Sequence, residues 1–566
     1  MVHKPIPSPS SASDAVRWEE TDVLIVGSGP IGATFAHTLV KKGIKVTMID
    51  IGQQETRRIG DHKKNSVAVQ KDISLFTNET LTHSVPRENC THSLCQLTRR
   101  DLSWNRPPGL LGRVMHSHDR DYAKIKRPTD SAYVLNGQNP DQKSYGNLPA
   151  AAATRVVGGM GSHWTCCTPR QHKGIERSDL FSDGEWNTLY GRAEKLFTKT
   201  DDAFDDSVRQ KLVKRVLTEA YPDREMKSMP LACKRKHDNK EYVEWSCTAT
   251  ILGELSKPEY FYKGEERLFD MRPNTQCDKL ELDPDGQIAW ALINDLEANQ
   301  QYYIHAKKYV VCAGAVLTPG ILHKSGLKPR LPALGHYLTE QPMAFCQVVL
   351  DRKLVNSVEG EDVVKAHRES HGNDPLPFPF NDPDPQVYFP LSEKYPWHTQ
   401  IHRDAFGYGE VPSNIDQRLV VDLRWFGYMK PDQENYVTFS NKTKDQFGMP
   451  QPTFNFVLDE EADERCKRMI TDMIEVARKL GGFLPGAEPK YLAPGSALHI
   501  CGTYRAGSTP ADSVVNKNGK AWGVNDLVLG GCGVIPTQNA CNPTLTAACF
   551  ALAAADKIIE DLHVDQ

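Results

Sequence analysis

Apolar positions become regular at Thr21. Residues 23–26 are a short apolar run, and Gly27-Ser28-Gly29-Pro30-Ile31-Gly32 follows at once. Ala33, Phe35, Ala36, Leu39 and Val40 then recur at helical spacing until Lys41, Lys42 and Gly43 break the pattern. A second apolar run, Val46–Ile49, closes on Asp50. The opening therefore predicts strand, glycine turn, helix and strand. Residues 51–150 are polar and carry Pro107-Pro108 and Asn/Gly/Asp turn signals, so a long excursion with few regular elements is expected there. Helical spacing returns over 185–199 and 206–220, and alternation over 287–293 predicts a strand. Residues 309–313 read as a buried strand running into Gly314, and 350–395, rich in Asp and Pro, as an exposed insertion. The stretch 459–480 predicts an amphipathic helix, with Ala462, Cys466, Met469, Ile470, Met473 and Val476 on one face. The chain closes with a strand at Leu527–Leu529, a glycine turn, and a helix over 543–562. No internal repeat is found.

Composition narrows the function classes. The chain has 566 residues, 39% hydrophobic content, and 68 basic against 72 acidic side chains. A sizeable core is expected, and a net charge of −4 argues against a polybasic nucleic-acid or membrane binder. The longest apolar stretches, 309–317 and 547–555, fall far short of the ~20 residues that span a bilayer. Residues 1–20 are rich in Ser and Pro without an apolar core, and read as a disordered lead-in rather than a signal peptide. The 14 cysteines follow no framework, which suits reduced thiols and a cytoplasmic location.

The glycine turn carries chemistry in its context. It follows a strand, opens a helix, and has an acid, Asp50, at the end of the next strand. Gly27 permits the tight turn, Gly29 lets the backbone approach a pyrophosphate, and Gly32 lets helix and strand pack closely. The pyrophosphate would lie at the helix N-terminus beside Pro30 and Ile31. Asp50 would accept from ribose hydroxyls. FAD and NAD share this fingerprint, but no second copy for NAD is found.

Four further segments, together with this opening, carry a resemblance. They are Gly158-Gly159-Met160-Gly161-Ser162-His163-Trp164-Thr165-Cys166; Gln400-Ile401-His402-Arg403-Asp404-Ala405-Phe406-Gly407-Tyr408; His499 with Gly502-Thr503-Tyr504-Arg505; and Gly530-Gly531-Cys532-Gly533 with Asn542-Pro543-Thr544. The sequence resembles the fungal pyranose 2-oxidase family, within the glucose–methanol–choline (GMC) oxidoreductases. The match is dense over 21–65, 148–175 and 396–562, and diffuse over 180–395, where only Ala313-Gly314 and Gly335-His336-Tyr337-Leu338 align.

The resemblance implies a mixed α/β (α+β), two-domain GMC-type fold, with a Rossmann-like FAD domain and a sheet-plus-helices substrate domain. The FAD domain would comprise 21–65, 148–180, 300–340 and 500–566. The substrate domain would comprise 181–299 and 341–499, with 66–147 as an arm that could serve a homo-oligomer. His163 falls where the family tethers FAD covalently, with Trp164, Thr165 and Cys166 beside it, and Thr165 facing the flavin N5/O4 edge. Ala313, Gly531, Cys532, Pro543 and Thr544 would also meet the cofactor. His499 and Asn542 match the catalytic pair: a neutral imidazole takes the hydroxyl proton while hydride leaves for flavin N5, and the amide orients the same oxygen. Asp404, Phe406 and Tyr408 match a substrate loop, and Gln400 and Arg424 sugar-contacting or loop-anchoring positions.

The expected reaction is oxidation of an aldopyranose such as glucose at C2 or C3, with O2 or a quinone as acceptor and H2O2 as the product from O2. A non-sugar alcohol with another acceptor, or a flavin-binding protein that has lost catalysis, are the alternatives. His398 and His402 at i, i+4 spacing would make a metal site only on a helix, and this stretch reads as strand and loop. The vicinal Cys166 and Cys167 read as packed thiols. Three departures from the family stand out: Tyr504 where a second histidine is usual, Val534 where Asn is common, and a short 342–396 segment. Tyr504 would either repack a site behind His499 or change its orientation. The departures point towards a biosynthetic role in sugar-derived secondary metabolism, of the kind that yields kojic acid.

Overall fold

The computed structural model describes residues 17–66, 70, 139–239, 241–257, 267–403, 411–412 and 414–564. Two sheets organise it. The first runs Phe269–Arg272, Val46–Ile49, Trp18–Val26, Gln300–Val311, Ile288–Asp295, Thr275–Leu282, with Leu527–Leu529 added on Gln300–Val311. Pairing is parallel from Phe269–Arg272 through to Gln300–Val311 and on to Leu527–Leu529, and antiparallel towards Thr275–Leu282. Leu24 pairs with Tyr309, which in turn pairs with Leu527, so strands from the start, middle and end of the chain lie side by side. Their central stretches, 23–26, 46–49, 309–311 and 527–529, are buried on both faces, and all but Thr47 of their residues are apolar. The helix Pro30–Val40 has Gly29 as its N-cap and packs Ile31, Phe35, Ala36 and Leu39 into the same core as the C-terminal helix Thr544–Val564.

The second sheet is antiparallel, in the order Gly481–Phe483, Met343–Leu350, Val420–Phe426, His398–His402, Gln386–Tyr388, Lys227–Ser228. Period-two alternation sorts its residues. Ala344, Cys346, Val348, Ile401, Val421, Leu423 and Trp425 bury in one core with Met469, Met473, Val476 and Leu480 of the helix Glu460–Leu480. The intervening His398, Gln400, His402, Asp422 and Arg424 then share the opposite face, with Gln400 paired to Arg424. Asp459 caps that helix through the Ala462 N–H at 2.6 Å, acids fill its first turn, and Arg478 and Lys479 its last.

Most expected elements form with small shifts in their ends. The helix expected at 185–199 spans Asp183–Leu196, set by a Ser182/Glu185 capping box, because Lys199–Thr200 leaves to pair with Leu231–Arg235. The helix expected at 206–220 starts at Val208, after its cap Ser207. The expectation of an exposed insertion over 350–395 is corrected. Helices Arg352–Asn356 and Asp362–Ser370 form there, and Val355, Val364, Phe378 and Phe389 are buried in the core of the second sheet. The acids that suggested exposure are structural. Asp351 caps a helix, Asp374 pairs with Arg418, and buried Asp382 accepts the Val208 and Arg209 N–H groups and pairs with Arg209. Among the described residues, no helix is long and apolar enough to cross a membrane.

Candidate active site

A cavity of about 730 Å³ begins at the carboxyl edge of the first sheet and ends against the polar face of the second. It falls within the ~300–1,000 Å³ common for ligand pockets, outside strand ends where parallel sheets bind their ligands.

At one end the three fingerprint glycines do different work. A Cβ on Gly27 would lie 2.7 Å from Cys312 O, and one on Gly32 only 2.1 Å from Gly27 O, so both serve close backbone packing. A Cβ on Gly29 would meet only Gly158 O, at 3.9 Å. What keeps Gly29 bare is the cavity itself. Gly27, Gly29, Pro30, Ile31 and Asp50 line that cavity, whereas Gly32 lies behind it. Asp50 Oδ2 accepts from Ser28 N–H at 2.9 Å and Ser28 Oγ–H at 2.6 Å, and Oδ1 from Gly52 N–H at 2.8 Å. Burial nevertheless raises its pKa, against these hydrogen bonds. Ser28 also accepts from Gly158 N–H at 2.8 Å, tying the first turn to the 158–163 segment. A bare backbone, a free helix N-terminus and a buried carboxylate at the next strand end form a donor set that fits FAD.

His163, Trp164 and Thr165 line the cavity. His163 is buried, with Nδ1 3.0 Å from Ser162 Oγ and Nε2 3.3 Å from Thr154 Oγ1. Burial and the Lys63 charge depress its pKa to about 3, so the ring is neutral. Cys166 does not reach the cavity. Its φ of +59° turns the fully buried thiol towards Ser246 O, 3.4 Å away, where burial raises its pKa well above the usual value. Ala313, Gly531, Cys532, Pro543 and Thr544 all line the cavity, the last two at the start of the C-terminal helix.

At the other end His499, Asn542, Gln400 and Arg424 converge. Asn542 Nδ2 lies 3.1 Å from His499 Nε2, Gln400 Nε2 donates to Asn542 Oδ1 at 2.7 Å, and Arg424 Nε donates to His402 Nε2 at 2.7 Å. Burial, with the Arg424 and His398 charges, depresses His499 to about 3. A neutral imidazole beside an oriented amide is the equipment for taking a proton from a bound hydroxyl. Asp404, Phe406 and Tyr408 lie outside the described residues.

The sequence reading missed Ser28, Glu340 and Gln341. Gln341 Oε1 lies 2.7 Å from His499 Nδ1, and the Glu340 carboxyl accepts the His499 backbone N–H. The available signal was a polar Glu-Gln pair wedged between apolar Leu338 and Met343. Tyr504 is buried, donates to Gly530 O at 3.0 Å and packs its ring against Gly533, so it fills the core beneath the glycine turn. Val534 is likewise fully buried. His398 and His402 sit on a strand, and no metal-holding group of His, Cys, Asp or Glu occurs among the described residues.

Comparison with known proteins identifies the family. Residues 260–343 and 431–551 match family models described as GMC oxidoreductase, and 20–119 one described as FAD binding domain. A pyranose 2-oxidase of Emericella nidulans is 42% identical over 96% of this chain and 93% of its own length. One from Lyophyllum shimeji is 39% identical over 96% of this chain and 92% of its own. A C-glycoside 3-oxidase of Microbacterium trichothecenolyticum is 27% identical over 98% of this chain and 99% of its own. The solved structure of a formate oxidase from Aspergillus oryzae superposes with a TM-score of 0.61 over 97% of this chain and 99% of that one, at 13% identity, and so shares the fold. With a fold, a cofactor cavity and near full-length relatives in agreement, the chain belongs to the GMC oxidoreductases, an FAD-dependent family, alongside the pyranose 2-oxidases.

Proposed function

We propose that the chain oxidises a ring secondary alcohol, at C2 or C3, of an aldopyranose such as glucose to a keto sugar, with O2 reduced to H2O2. The observation that carries this is the His499–Asn542 pair, 3.1 Å apart, with Gln400 and Arg424 converging on the same cavity end. Three pyranose 2-oxidases at 37–42% identity support the substrate class, and two C-glycoside 3-oxidases at 27–28% keep C3 beside C2.

Bound FAD supplies the acceptor for the two electrons that leave the alcohol carbon. Residues 27–32 would hold its diphosphate at the helix N-terminus, Asp50 its ribose, and Pro543 and Thr544 the ring end, where a helix N-terminus favours negative charge. His499 Nε2 takes the hydroxyl proton. Asn542 donates to the same oxygen, and Gln400 keeps the Asn542 amide turned that way. We further assign the covalent tether to His163. The Ser162 hydroxyl donates to Gly159 O and so accepts from His163 Nδ1, which leaves Nε2 with the lone pair. Twelve cysteines among the described residues are free thiols, which supports a reducing, cytoplasmic setting. Two tests separate these points. Peroxide release with glucose should exceed that with simple and aryl alcohols, and turnover of alcohols without any pyranose would sink the substrate assignment. Flavin colour should stay with acid-precipitated wild-type protein and be extracted from His163→Ala; extraction from both would remove the tether.

A further inference from the structure

Hydrogen-bond directions around His499 follow from groups whose roles are fixed. Gln341 Nε2 lies 2.9 Å from Asn539 O and 2.8 Å from Cys541 O. Both are carbonyl oxygens, which only accept, so this is the donor end of the Gln341 amide. The other end, Oε1, lies 2.7 Å from His499 Nδ1. An amide oxygen only accepts, so Nδ1 must carry the proton. The opposite side of the ring is arranged to match. Asn542 Oδ1 accepts from Gln400 Nε2, which turns Asn542 Nδ2 as a donor towards His499 Nε2. Nε2 therefore bears the lone pair.

We propose that Gln341 is a positioning residue that fixes His499 in the Nδ1–H tautomer, leaving Nε2 facing the cavity as the proton acceptor. This deepens the reading of His499 as the base and rests on it. Gln341 takes no proton; the hydroxyl proton goes to Nε2 while Nδ1–H stays bonded to Oε1.

The surroundings explain why Gln341 can hold the ring. Thr339 and Cys501 exchange both backbone hydrogen bonds, at 3.0 and 2.9 Å, laying 339–341 beside 499–501. The Glu340 carboxyl then accepts the N–H groups of both Gln341 and His499, at 2.7 and 3.1 Å. Main chain, carboxyl and amide thus fix the histidine at three points. The neutrality of the amide matters too. A carboxylate on Nδ1–H would stabilise the imidazolium and raise the pKa of His499, whereas an amide orients the ring without doing so. The charged or titratable groups facing the ring are Arg424 and His398, with Glu340 behind its main chain.

The test uses the FAD-loaded enzyme with ¹⁵N-labelled histidine, the His499 signals being identified by their absence in His499→Asn. Wild type should show a protonated Nδ1 and a bare Nε2. Gln341→Met should mix the two tautomers and slow flavin reduction by glucose at least about tenfold at every pH, with little change in glucose affinity. In Gln341→Glu the acid limb of the reduction rate, followed by pH jump from about pH 3 to 8, should move up by about one unit or more. A protonated Nε2 in wild type would overturn the proposal even if neither variant folds. So would an unchanged tautomer in Gln341→Met together with an unmoved limb in Gln341→Glu. If no pyranose reduces the wild-type flavin, the sugar assignment fails, and the tautomer signals still decide the role of Gln341.

Discussion

Replacing Gly29 by Ala separates folding from cofactor binding at one methyl group. Gly29 has φ −60° and ψ 178°, a conformation alanine adopts freely, and its Cβ would meet nothing nearer than Gly158 O at 3.9 Å. Folding should be unharmed. Loss of glycine freedom in the unfolded chain should stabilise the protein by about 0.4–1 kcal/mol. The methyl would, however, stand in the cavity where the diphosphate approaches the backbone. FAD affinity should fall at least about tenfold, or 1.4 kcal/mol. Gly32→Ala is the control, because its Cβ would lie 2.1 Å from Gly27 O and must push strand and helix apart. The assay, run in a His163→Ala background so that FAD is exchangeable, is the flavin-to-protein absorbance ratio together with the melting temperature of flavin-free protein. Gly29→Ala should be flavin-poor with an unchanged or higher melting temperature, and Gly32→Ala should lose both. A Gly29→Ala protein with a full complement of FAD would refute the placement of the diphosphate.

Further outcomes follow from the same geometry. His499→Ala should slow flavin reduction by at least about 10²-fold, measured by anaerobic stopped flow. Tyr504→Phe should cost about 1 kcal/mol in denaturant unfolding through the lost bond to Gly530 O, and leave turnover within twofold. Asp472→Ala should lose about 3–5 kcal/mol, since it strands the buried Arg224 guanidinium and the indole N–H groups of Trp397 and Trp425. Acid should destabilise the fold. His62, His163, His398 and His499 are depressed to about 3 and His402 further by burial, so the unfolded chain takes up protons first and stability falls as pH drops from the ordinary histidine range towards 3. Each loses about 2 kcal/mol by pH 5. Glu340, held near 8 by burial, and the raised Glu176 and Asp50 act in the opposite sense, so a pH series of melts should show a fall in stability smaller than the histidine contributions alone.

Local signals made the cofactor end legible in the sequence. A strand, a glycine turn, a helix and an acid are contiguous there, and each glycine's role follows from backbone sterics. The catalytic end was legible only as separate motifs. His499 and Asn542 could be named, but Gln341 lies 158 positions from the histidine it holds, and no periodicity signals such a bond. The middle of the chain misled because acids read as surface. Asp351 and Asp382 instead satisfy helix N-termini, and the Asp382 carboxylate, buried in that task, looks in sequence like any exposed one. Cys166 stands off the cavity lining at a positive φ, a backbone feature that residue type does not reveal.

In the proposed reaction a neutral His499, steadied by Asn542, takes a proton from a pyranose as its ring alcohol is oxidised. The direct measurement is an anaerobic titration of the flavin with glucose, followed by identification of the sugar product and readmission of O2. One equivalent of glucose should bleach the flavin, a keto sugar should form at C2 or C3, and O2 should restore the colour with one H2O2 per turnover, while His499→Ala should stay yellow on the same timescale. A flavin that no pyranose bleaches, or one that His499→Ala bleaches at the wild-type rate, would contradict it.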